Sequence, residues 1–293
     1  MRNRGKHSHA FFHQVIRYFG VTPVYLMLNI LVPGYSLIRP SVRKAIYPYI
    51  KKRFPRENPL QQFVLSTQHM VQFSRTLVDQ AATGILGTQR LKFDFPTGEL
   101  LREVSRRRKG LVVLTAHVGN YFASMVMGQY LDVPMNVVID TQNYQGNHFF
   151  DLTKEKMPFR IIPPTFEGLI TATNALRSGE IVALMGDRKD NTRTIQVNFL
   201  GSPVEIPATP YHLAFATGAD VGVLLNARSG KLRVHMDFEV IRENSEWQNL
   251  RKQEAIHRMA QAYADRLESY VNRYPFMWYN FFDFWELTSK GNK

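Results

Sequence analysis

Cysteine is absent from this 293-residue chain. Its absence removes disulfides, thiolate zinc sites, iron–sulfur ligation and a cysteine nucleophile together, and it is compatible with a reducing cytoplasm. Also missing are a Walker loop, a dinucleotide glycine fingerprint, a Gly-x-Ser-x-Gly elbow and a His-Glu-x-x-His helix. Nucleotide hydrolysis, nicotinamide redox chemistry and serine hydrolysis therefore lack their usual signatures. Acidic residues are scarce, with 24 Asp and Glu against 37 Lys and Arg, for a net charge of +13. Such a balance selects an anionic partner: a phospholipid surface, a phosphorylated carrier or cofactor, or nucleic acid. Charge alone argues for nucleic acid, because the chain has no recognisable binding module and no interleaved aromatic and basic stripe.

What is present suits a globular protein. Hydrophobic residues make up 44% of the chain and charged residues 21%, which excludes disorder. From Leu111 onward short apolar runs alternate with helical spacing. The runs are Leu111–Ala116, Met135–Ile139, Arg160–Pro163, Ile181–Met185, Val221–Asn226 and Leu232–Phe238. This alternation predicts an α/β domain with a central, mostly parallel sheet flanked by helices. Phe63, Leu65, Met70, Phe73, Leu77 and Val78 predict an amphipathic helix from Pro59 to about Gly87, and Ile256, Met259, Tyr263, Leu267, Tyr270 and Val271 another from about Trp247 to Asn272, ended by Pro275. The division is then a basic leader and apolar, membrane-associating helical region over residues 1–58, followed by the catalytic α/β domain over 59–293.

Between Arg17 and Arg39 the chain carries no charge, over a length that could cross a bilayer. Pro23, Pro33, Gly34 and the central Asn29 argue against a clean span and favour a bent or interfacial insertion; two buried helices of a soluble fold are the other reading. Positive charge on both flanks favours both ends remaining cytoplasmic, and no small-residue cleavage site follows the stretch.

The chemistry concentrates at two strand ends. The first run delivers His117 to its C-terminal edge, where α/β folds place ligands, and Gly119-Asn120 open the next helix. Their backbone N–H groups are candidate donors to an oxygen that gains charge during reaction. The second run ends at Gly186-Asp187-Arg188, so Asp187 can orient the His117 ring if the two strands are neighbours. A satisfied strand-end histidine and a structural Asp187–Arg188 ion pair are the plainer alternatives. Arg160 is a candidate phosphate contact, or else a surface arginine. Arg193, Asn198 and Glu205 fall in a segment read as a loop that binds acceptor or simply turns the chain. His7, His9 and His13 lack a nearby carboxylate, so no metal site is expected there.

Taken in order, these segments resemble the bacterial lipid A late acyltransferases and related glycolipid acyltransferases of the lysophospholipid acyltransferase superfamily. The resemblance runs from Phe19-Gly-Val-Thr-Pro-Val-Tyr25 through Arg43–Pro55, Thr115–Tyr121, Met185-Gly-Asp-Arg188, Val197–Pro203, Pro207–Pro210 and Ala216–Ala219 to Tyr274–Trp285. It implies transfer of a fatty acyl chain from an acyl carrier protein or coenzyme A thioester to a hydroxyl of a glycolipid or other lipid acceptor. The implied location is the cytoplasmic face of the inner membrane, monotopic or with a single N-terminal span, and no cofactor is expected beyond the thioester donor. The family motif follows its histidine, one helical turn later, with an acidic residue. Here Val118, Gly119, Asn120, Tyr121 and Phe122 follow, and nothing acidic occurs until Asp132. Either the chain is a catalytically silent lipid-binding relative, or the carboxylate comes from elsewhere. Asp187 is the expected replacement, forming a catalytic pair with His117, with Gly119, Asn120 and Arg188 at the oxyanion.

Overall fold

Both decisive apolar runs are rich in β-branched residues and too short for buried helices, and both become strands. In the computed structural model of the chain, residues 4–126, 128, 131–140, 158–188, 193–242 and 249–286 are described. The elements run α1 (Arg4–Phe19), α2 (Thr22–Ile38), α3 (Pro40–Arg53), α4 (Pro59–Leu86), β1 (Lys92–Asp94), α5 (Gly98–Arg106), β2 (Leu111–Thr115), α6 (Tyr121–Val126), β3 (Met135–Val138) and β4 (Arg160–Ile162). They continue as α7 (Phe166–Arg177), β5 (Ile181–Met185), β6 (Thr194–Phe199), β7 (Ser202–Pro207), α8 (Thr209–Thr217), β8 (Asp220–Gly230), β9 (Arg233–Arg242) and α9 (Lys252–Arg273).

Among the described residues, a 7-stranded sheet has the order β1-β9-β8-β2-β5-β3-β4. Every pairing in it is parallel except that of β8 with β9. Alternate residues of the central strands serve opposite cores, as the two-residue period of a strand requires. Val112, Leu114, Val182, Leu184 and Val223 face a core shared with α3 and α7 to α9, while Leu111, Val113, Ala183 and Leu224 face the side covered by α5 and α6. Burying such a side chain contributes about 1.5–3 kcal/mol each, enough to fix the register of β2 against β5. Asn58 caps α4 through a reciprocal pair with Gln61, at the boundary drawn from sequence, yet Ile46, Tyr49 and Ile50 of α3 belong to the same core cluster as the sheet.

The segment read as an acceptor loop is instead an antiparallel hairpin of β6 and β7. Leu200 and Gly201 both have positive φ, 47° and 69°, and form its two-residue turn. The N-terminal apolar stretch is helical over most of its length. Pro23 sits at the start of α2, where its missing N–H costs nothing, and the helix continues past Pro33 to Ile38. Val24, Tyr25 and Val32 are buried, whereas Leu26, Ile30, Leu37 and Ile38 face outward, Ile30 with 76% of its surface exposed and Ile38 with 78%. Asn29, at the middle of the stretch, accepts from Arg75 Nη2 of α4 at 2.8 Å. Among the described residues no helix is long and apolar enough to cross a membrane.

Candidate active site

Parallel pairing puts Thr115 of β2 opposite Met185 of β5, so the two chains leave the sheet side by side. The Gly186 N–H still donates to the Thr115 carbonyl at 2.9 Å. One and two residues further on, Asp187 and His117 meet. His117 Nδ1 lies 2.9 Å from Asp187 Oδ1, and the His117 backbone N–H donates to Asp187 Oδ2, also at 2.9 Å. Glycine is required at 186 by packing: a Cβ there would lie 2.7 Å from the Tyr263 ring, whose hydroxyl donates to the Thr115 carbonyl at 3.0 Å.

The carboxylate and the imidazole occupy different surroundings. Asp187 is 1% exposed, while the His117 side chain keeps 19% of its surface accessible. Burial pushes the Asp187 carboxyl up, but the charge of a protonated His117 and the hydrogen bonds from His117 and Trp278 outweigh it, so the group is held below the ordinary carboxylate range. An ionised Asp187 can only accept, which assigns the Nδ1–H tautomer to a neutral His117 and leaves its lone pair on Nε2. No partner for that nitrogen occurs among the described residues.

A C-terminal strap closes over the pair. Val118 and Trp278 form an antiparallel bridge, in which the Gly119 N–H donates to the Met277 carbonyl at 2.7 Å and the Tyr279 N–H to the His117 carbonyl at 2.8 Å. Gly119 has φ +55°, and a Cβ there would stand 2.4 Å from the Asn226 carbonyl oxygen, so neither the conformation nor the space admits a side chain. The strap also corrects the expected oxyanion arrangement. The Gly119 N–H is spent on Met277, and the helix opened by Asn120 is only 6 residues long, so its dipole is small. Asn120 is buried, and neither atom of its side-chain amide has a partner in the described structure. Arg188 is brought to the site's rim, where Nη2 donates to the Tyr279 carbonyl at 3.1 Å and the guanidinium lies over Phe282.

The other sequence candidates lie elsewhere. Arg160 begins β4 and pairs with Glu180 at 3.3 Å, at the N-terminal rim of the sheet, opposite the strand ends that carry His117 and Asp187. Asn198 is held through its main chain: its N–H donates to Gln261 Oε1 at 2.9 Å and its carbonyl accepts from Gln261 Nε2 at 3.0 Å. Arg193 is an exposed residue at the base of the β6–β7 hairpin, its carbonyl accepting from the Ala208 N–H. Among the described residues nothing joins Arg193 or Asn198 to His117, and no group of three or more His, Asp or Glu side chains is arranged to hold a metal ion.

Beside the strap lies an apolar groove of about 680 Å³, lined by Leu31, Val32 and Tyr35 of α2, Met70 and Phe73 of α4, and Phe281. Phe73 packs on Tyr279 at 5.0 Å and on Phe281 at 4.7 Å between ring centroids, so the groove wall is continuous with the strap that holds His117.

A histidine held on a buried carboxylate, beneath a strap that also walls an apolar groove, is compatible with transfer of an acyl group, and the model of one family, the bacterial lipid A biosynthesis acyltransferases, matches residues 50–286. The chain belongs to that family. A search of curated proteins finds no match. The lipid A acyltransferase match covers α4, the whole sheet and the C-terminal strap, and so contains His117, Asp187 and Trp278. Trp278 was not legible as a site residue. It sits in an aromatic run that reads as core, and the only hint was that a buried indole N–H requires an acceptor.

Proposed function

We propose that this protein is an O-acyltransferase that moves a fatty acyl chain from an acyl carrier protein or coenzyme A thioester to a hydroxyl of a lipid acceptor, with His117 as general base. The observation that carries the reading is the 2.9 Å contact from His117 Nδ1 to Asp187 Oδ1, with no partner for Nε2 among the described residues. That nitrogen takes the acceptor hydroxyl's proton as the oxygen attacks the thioester carbonyl carbon. The tetrahedral oxyanion is met by the Asn120 N–H and by the remaining N–H groups of Arg188. Collapse breaks the carbon–sulfur bond, and the thiolate leaves with the proton from the imidazolium. No covalent acyl-enzyme, metal or further cofactor enters the scheme.

The groove beside the strap suits the acyl chain, since its lining is almost wholly apolar. The outward apolar face of α2 supports attachment to the cytoplasmic face of the inner membrane by lying on it. At 17 residues the helix measures about 25 Å, short of the roughly 30 Å hydrocarbon core. The basic residues Arg39, Arg43, Lys44, Lys51, Lys52 and Arg53 that follow would meet anionic headgroups or an acidic carrier protein.

The silent-relative reading rests on the missing acid after His117, and the Asp187 contact supports the active reading over it by supplying a carboxylate from another strand end. Incubation of the full-length protein with acyl thioester and membrane lipid, followed by lipid mass spectrometry, tests the proposal. An acylated lipid formed by wild type and not by His117→Ala is the expected result. Equal product from both variants, or none from wild type with either donor, contradicts it.

A further inference from the structure

The Asp187 carboxylate has two oxygens and three N–H donors. Oδ1 faces His117 Nδ1, while Oδ2 accepts from the His117 amide and from Trp278 Nε1, each at 2.9 Å. Two of the three donors belong to the residue being oriented. The third comes from the far end of the chain, 91 residues beyond Asp187.

Trp278 is completely buried, and its ring is fixed on several sides. Tyr49 of α3 meets it edge-on at 5.1 Å, Phe284 at 5.1 Å and Phe199 of β6 at 5.2 Å between centroids. Tyr49 is anchored in turn by a 2.7 Å bond from its hydroxyl to the Pro275 carbonyl, and the Trp278 backbone is held by the bridge to Val118. The direction of the indole N–H is therefore set by the packing of three separate elements.

We infer that Trp278 is a positioning residue for acyl transfer, fixing the plane of the Asp187 carboxylate so that Oδ1 is presented to His117 Nδ1. This rests on the reading of His117 as the base. The terminal torsion of an aspartate is broad, so its donors decide the orientation of the carboxylate. A tilted carboxylate loosens the imidazole and misdirects Nε2 from the hydroxyl it must reach. The indole N–H also draws part of the Asp187 charge, which would otherwise fall on His117 alone.

Trp278→Phe keeps the ring contacts and deletes the N–H. In the full-length protein kcat is expected to fall about 10- to 100-fold, the scale known for losing a hydrogen bond that orients a histidine ligand. KM for the thioester stays within about twofold, because the indole touches no substrate. The acid limb of the pH profile of kcat/KM moves, because the carboxylate that faces His117 changes in both orientation and charge, a change that loosening of the core away from Asp187 would not produce. Wild-type kcat with an unmoved acid limb overturns the inference. Should Trp278→Phe fail to fold, the 3 tryptophan indole N–H resonances of wild type and Asp187→Asn decide. One resonance moving upfield on loss of its charged acceptor supports the contact, and three unmoved resonances overturn it. His117→Ala separates the two layers. Normal transfer by that variant sinks the base reading and this inference with it, whereas abolished transfer beside a wild-type Trp278→Phe sinks this inference alone.

Discussion

His117 and His235 each set an imidazole nitrogen against an aspartate, at 2.9 Å from Asp187 and 2.7 Å from Asp94. Beyond that shared contact they diverge. His235 spends its second nitrogen as well, on Asp237 at 3.1 Å, and its Asp94 partner is 63% exposed. It clamps β1 to β9 with both ring nitrogens engaged. His117 has a buried carboxylate on one side and an open nitrogen on the other. Under the proposed function a histidine–carboxylate contact does not mark the base by itself; a second nitrogen with no partner among the described residues and a buried, multiply held acid set His117 apart.

The comparison breaks most sharply when both histidines are replaced. His117→Ala should lower acyl transfer at least about 10³-fold, the scale of losing a general base. His235→Ala should leave turnover within about twofold and cost less than about 1 kcal/mol of stability, because its Asp94 contact is solvent-screened. Assays of both variants beside melting curves check this, and comparable activity losses would erase the distinction.

Next in size is Gly119→Ala, which forces a side chain into a positive-φ position facing the Asn226 carbonyl. It should destabilise the fold by about 2 kcal/mol or more and misplace the strap over His117. Denaturant unfolding measures it, and an unchanged midpoint would mean the strap tolerates movement.

A third histidine sharpens the contrast by having no hydrogen-bond partner among the described residues. His69 of α4 is fully buried among Tyr49, Tyr279 and Phe281, neither ring nitrogen is hydrogen-bonded, and burial pushes its pKa down to about 3. The folded state excludes a proton that the unfolded chain binds below about pH 6.5, so the stability tied to this group is complete above that pH and declines as pH falls toward 3. At pH 5 the loss is about 2 kcal/mol. His69→Leu should flatten this part of the stability profile between pH 7 and 5, and parallel profiles for the two proteins would show that His69 is not held neutral.

The two strand ends were readable because β2 and β5 are uninterrupted apolar runs that end in Ala-His and Gly-Asp. Their adjacency was not, since order in a parallel sheet depends on crossovers and not on any local pattern. That Arg160 lies apart from the pair was hidden for a related reason: it starts its strand, and in a parallel sheet the start and the end lie on opposite rims. The β6–β7 hairpin escaped because Leu200 occupies a positive-φ turn position normally given to glycine or asparagine, and Pro203 interrupts the strand pattern. Trp278 could not be found from spacing, because its partner stands 91 residues away and its neighbours are aromatic residues that do belong to the core. The apolar stretch over 18–38 has the composition of a membrane segment and the structure of a surface helix. Composition does not record that Asn29 bonds α4 while Ile30 faces out.

Turnover of Asp187→Asn is the most direct test of the central claim. Asp187 accepts three N–H donors, which an amide cannot do. With its oxygen turned to the His117 amide and Trp278, its NH₂ faces Nδ1 and forces the proton onto Nε2, the tautomer that cannot act as base. Acyl transfer should fall about 10²- to 10⁴-fold with little change in melting temperature. Near-normal turnover by the folded variant would contradict the account, and His117 would need a different partner.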